Sequence, residues 1–154
     1  MKKIFSVFLI SLYSILISTT SFAANASTTY SATHLGFGIY EHTIRWTADD
    51  STGAVNSVNI PELQGAVFLG LTIPSSVTAP TDQYDITLTD KYGVDVFGGV
   101  LANRSATANE QVTPKIGSAY GTRYSKSRLT FTLSNNSVNS AQGTFVFYSI
   151  VINR

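Results

Sequence analysis

Tyr84-Asp85-Ile86-Thr87-Leu88-Thr89-Asp90-Lys91-Tyr92-Gly93-Val94-Asp95-Val96 decides the fold. Tyr84, Ile86 and Leu88 alternate with Asp85, Thr87 and Thr89, the period of a strand with one face buried. Asp90 to Gly93 then supplies a turn, with Gly93 expected at positive φ, and Val94 and Val96 start the return. The next pair, Gly98-Gly99, reads as a bulge or a close backbone approach.

Outward from this hairpin the period of two persists. Tyr40, His42, Ile44 and Trp46 share one face of a strand, Glu41, Thr43, Arg45 and Thr47 the other, and Asp49 to Gly53 is its turn. Val55 to Ile60, ended by Pro61, and Ala66 to Ile73, ended by Pro74, read as two further strands. Residues 102–127 are small and polar and read as a long excursion with one short strand. Leu129, Phe131 and Leu133 alternate with Arg128, Thr130 and Thr132, an Asn/Ser-rich turn covers 134–143, and a last strand runs from Thr144 to Ile152. No ten-residue window after position 30 carries apolar residues at helical spacing. The expectation is an all-β domain over 39–154, an antiparallel β-sandwich or jelly roll of about seven to eight strands. Residues 24–38 read as a flexible lead-in, with Gly36-Phe37-Gly38 as a joint.

The first 23 residues follow another plan. Lys2 and Lys3 precede an uncharged apolar run from Ile4 to Ile17, and Ser21-Phe22-Ala23 is a small-x-small cleavage site, so 1–23 reads as a helical signal peptide. The run is about 14 residues, short of the roughly 20 that span a bilayer. The protein is therefore expected to be exported, periplasmic or extracellular, touching the membrane only through this leader. Without Lys2 and Lys3, nine acids face eight basic residues, which leaves no basic patch for nucleic acid. The chain has no cysteine, so disulfides, thiolate metal sites and cysteine nucleophiles are excluded.

Candidate chemistry is sparse. His34 and His42, the two histidines, have no metal-site spacing and read as strand residues. Asp82, Asp85, Asp90 and Asp95 invite a calcium site, yet each position suits a carboxylate that caps nearby backbone N–H groups. No serine lies in a nucleophile elbow. Asn25, Asn103 and Asn135 each begin an Asn-x-Ser triplet, which matters only in a eukaryotic secretory route. The expectation is no enzyme, no cofactor, and no catalytic, cofactor-binding or metal-binding residue.

The wording Ala79-Pro80-Thr81-Asp82-Gln83-Tyr84-Asp85-Ile86-Thr87-Leu88-Thr89-Asp90, with Gly93-Val94-Asp95-Val96 and Gly98-Gly99, resembles a family of small proteins encoded among the virion structural genes of tailed bacteriophages. Trp46 to Asp49, Asn103-Arg104, Glu110-Gln111, Leu129-Thr130 and Asn135 to Gly143 extend the likeness over roughly 43–152. The resemblance implies a nonenzymatic structural or accessory, virion-associated protein whose partners are its own copies or other structural proteins. Members of that family begin directly with the domain, whereas this chain carries a leader. The alternative reading is an exported bacterial surface or periplasmic binding module, adhesin-like or pilus-associated. The closing strand adds a physical reason to expect a homo-oligomer: Phe145, Phe147 and Val151 alternate with Val146, Tyr148, Ile150 and Ile152, so both faces are apolar and both need cover. That cover could come from the 102–127 excursion or from another subunit.

Overall fold

The computed structural model describes residues 25–151; the signal peptide expected over 1–23 lies outside them, as does Ile152 at the end of the expected last strand. The described residues contain no α-helix, and no helix among them is long and apolar enough to cross a membrane. The strands are β1 (Ser27–Gly36), β2 (Ile39–Thr47), β3 (Val58–Pro74), β4 (Asp85–Thr89), β5 (Glu110–Val112), β6 (Lys115–Ile116), β7 (Ala119–Tyr120), β8 (Arg123–Ser134) and β9 (Gln142–Ile150). Seven form one antiparallel sheet in the order β1-β2-β9-β3-β8-β4, with β5 also on β3, while β6 and β7 make a separate ribbon.

β3 explains how one sheet surrounds a core. Its first half, through Val67, pairs with β8; its second half, from Ala66, pairs with β9 and β5. Register shifts between Ile60 and Leu63 and between Val67 and Leu69 bend it, as bulges do. Pro61 predicts a break here between two strands. The strand is continuous because the missing proline N–H falls inside the first register shift, where no ladder bond is lost.

The bend brings distant strands together. Trp46 of β2 meets Tyr84, just before β4, at a ring separation of 6.0 Å, although β9, β3 and β8 lie between β2 and β4 in the sheet order. Phe131 of β8 lies 6.1 Å from Phe145 of β9, on opposite sides of β3. Ile44, Ile60, Val67, Ile86, Leu88 and Leu129 complete the same core. Burying such side chains is worth roughly 1.5–3 kcal/mol each, which is why the sheet curls instead of lying flat. Tyr84, Ile86 and Leu88 are all buried and Gly93 has φ 77°, as the hairpin pattern requires. The return is reduced to a bridge between Thr89 and Asp95.

Two expectations need correction. Residues 27–36, read as part of a flexible lead-in, are a full edge strand paired with β2 from Ser27↔Thr47 to Gly36↔Ile39. Its Ser and Thr side chains bury little. Order comes from the backbone ladder and from Thr28 Oγ1 donating to the Asn56 carbonyl and Asn56 Nδ2 donating to the Ala26 carbonyl. Phe37-Gly38, read as a joint, is a two-residue hairpin turn with φ 52° and 75°, the positive pair a primed turn needs. The 102–127 excursion holds three short strands, and β8 begins within it at Arg123.

Candidate functional site

His42 sits on the core face of β2, 5% exposed. Its Nδ1 is 2.9 Å from the Tyr30 hydroxyl of β1 and its Nε2 is 2.8 Å from Ser149 Oγ of β9. Its ring lies flat on Phe147, 4.3 Å between centroids. A serine, a histidine and a third polar group in line is the arrangement of a nucleophilic relay. Ser149, however, is fully buried, so no carbonyl carbon reaches its oxygen. The trio instead ties three neighbouring strands together with satisfied polar groups. His34, the other histidine, packs its ring against Tyr40 at 4.8 Å.

Burial pushes the His42 pKa down to about 4. The unfolded chain therefore takes up a proton, near pH 6.5, that the folded chain refuses until about pH 4. Stability is complete above pH 6.5, falls as the pH drops through that value, and stops falling on this account near pH 4. The full loss should be roughly 3 kcal/mol, most of it reached by pH 4.5. Urea titrations at pH 7.5 and 4.5 check it; equal stabilities would contradict the buried neutral imidazole.

The four aspartates do not converge on a point. Asp90 Oδ1 accepts from the N–H groups of Tyr92 and Val94 at 2.9 and 3.0 Å, closing the turn on Gly93. Asp95 accepts from Phe97 N–H at 3.1 Å and Gly99 N–H at 2.6 Å. Asp85 takes Asn103 N–H at 2.7 Å and Asn135 Nδ2 on its other oxygen, and Asp82 takes Ala106 N–H. Arg104 donates to the Ala102 carbonyl and lies 3.6 Å from Glu110, which accepts from Ser105 N–H. The carboxylates are thus backbone caps, and no cluster of three or more metal-ligating side chains occurs among the described residues. Asn136 extends the network, accepting Thr81 N–H and donating to the Gly53 carbonyl. The residues that carry the phage-family resemblance therefore brace one another and the loops beside β4.

An open groove is lined by small or uncharged residues, among them Pro74, Ser75, Ala79, Ala106 and Asn109. It offers no acid or base.

The opposite side of the β2-β9-β3 sheet is the remaining candidate. Phe145, Phe147 and Ser149 of β9 point to the core. Val146 and Tyr148 lie on the opposite face, where register places Leu71 beside Val146 and Leu69 beside Tyr148; Val146 is 8% exposed and the three others are half-buried. Ile73 follows beside Thr144. The Phe68 ring lies 6.2 Å from Tyr148, and the Tyr148 hydroxyl donates to Glu41 at 2.8 Å, pushing the phenol's pKa up. The 102–127 excursion lies elsewhere: β5 extends the sheet along the edge of β3, and Lys115 N–H bonds the Phe97 carbonyl. The sequence showed that β9 is apolar on both faces; which β3 residues continue the stripe became visible only with the register.

These features define an antiparallel β-protein with an apolar outer sheet face and sealed polar groups. No protein-family model matches the chain, and no curated protein matches it. Among solved structures it is similar to a chain described as "Cyanophage Pam1 capsid asymmetric unit", with 15% sequence identity, 79% of this chain and 92% of that chain covered, and a TM-score of 0.41. That score is too low to carry an argument about fold or role.

Proposed function

We propose that this protein is a nonenzymatic structural or accessory component, of the virion-associated type that its central motif resembles, built as a β-sandwich and working by self-association. The observation that carries the reading is the outer face of β9 and β3, where Val146, Tyr148, Leu69, Leu71 and Ile73 form one apolar stripe. The stripe is only partly covered within the chain, Val146 being buried and the other four half-buried, and a second copy of the same chain is the simplest further cover. The buried Ser149–His42 pair and the engaged aspartates support a role without catalysis. The leader-like residues 1–23 support export, and with it a second reading as a surface or periplasmic binding module.

Association stabilises by mass action, so the thermal midpoint should rise with protein concentration across the micromolar range. A midpoint independent of concentration would speak for a monomeric binding module. Leu71→Asp places a charge on the stripe without touching the core and should abolish the dependence.

A further inference from the structure

The outer face is self-complementary in charge as well as apolar. Three rows cross β2, β9 and β3: Glu41–Tyr148–Leu69, Thr43–Val146–Leu71 and Arg45–Thr144–Ile73. An acid ends the first row, a base ends the third, and Val146 occupies the centre. The Arg45 side chain is exposed and has no hydrogen bond or ion pair among the described residues. Glu41 uses Oε2 for Tyr148.

Resting on the self-association reading, we infer that two copies pair face to face about a two-fold axis that runs across the strands at Val146, so that Glu41 of each copy meets Arg45 of the other. Only two orientations of an axis in the plane of the interface keep the strands aligned. An axis along the strands lays β2 over the partner's β3, which drives Glu41 and Arg45 against apolar side chains and leaves both charges uncompensated. An axis across the strands lays each strand antiparallel on its own copy and exchanges the first row with the third. Glu41 then faces Arg45, Leu69 faces Ile73, and Val146 faces its own copy. Glu41 and Arg45 are four residues apart, about 13 Å along the strand, and both side chains are long enough to meet across sheets about 10 Å apart.

Charge reversal tests the geometry in the whole protein. Glu41→Arg alone, or Arg45→Glu alone, sets like charges against each other twice in each dimer and should weaken self-association by about tenfold or more. An equimolar mixture of the two variants should recover wild-type association as a heterodimer, because each reversed charge then meets its opposite. Recovery also shows that both variants are folded. If the wild type associates but neither reversal changes its affinity, or the mixture is no tighter than the separate variants, the pairing is wrong while self-association stands. A wild type that stays monomeric overturns both.

Discussion

Replacing Phe145 by alanine should lower the unfolding free energy by about 3–5 kcal/mol. Phe145 is fully buried on the central strand β9 and holds three other rings: Phe97 edge-on at 5.6 Å, Phe147 at 5.9 Å and Phe131 at 6.1 Å. Those rings belong to the segment between β4 and β5, to β9 itself and to β8, which lies on the far side of β3. A cavity at Phe145 is lined from three directions by elements fixed in separate ladders, so it cannot collapse easily, and the cost stays near the upper part of the range for such truncations. Gly70 adds to the constraint: a Cβ there would lie 2.7 Å from the Phe97 ring, so that ring already fills the space above β3. Urea denaturation measures the change. A loss under about 1 kcal/mol would mean that the two halves of the sheet do not share this core.

The second large effect is expected at Gly98. Its φ is +64°, and a Cβ built there overlaps the backbone carbonyl oxygen of Lys115. That carbonyl cannot swing aside, since Lys115 N–H is bonded to the Phe97 carbonyl at 3.1 Å and Gly98 N–H to the Asp95 carbonyl at 3.0 Å. Gly98→Ala therefore combines left-handed strain with a backbone collision and should cost about 3 kcal/mol. Gly93 provides the comparison, with φ +77° and nothing within 4 Å of the added atom. Gly93→Ala carries the conformational cost alone, about 1 kcal/mol. Thermal melts of the two variants should differ clearly; equal shifts would show that the Lys115 strand does not rest on Gly98.

How legible each element is in the sequence depends on what orders it. Strands that alternate against one core announce themselves: His42 to Trp46, Tyr84 to Leu88 and Leu129 to Leu133 bury the face their pattern assigns, while Tyr40 at the start of the first is half-buried. The capping aspartates were legible too, because Asp90 stands where an Asx turn opens and Gly93 where positive φ is needed. β1 was not, since an edge strand of Ser and Thr gains its order from a partner ladder that leaves no hydrophobic period. β3 was divided because proline ordinarily ends a strand, and only a register shift shows why this one does not. The His42–Ser149 contact joins residues 107 apart, and the place of Val146 between the Glu41 and Arg45 rows exists only once β2 and β9 are aligned.

Sedimentation velocity of the purified protein over the micromolar range tests the central claim most directly. Self-association through the β9–β3 face predicts a reversible dimer or larger species in the wild type and a folded monomer in Leu71→Asp. A wild type that sediments as a monomer at every concentration would contradict it.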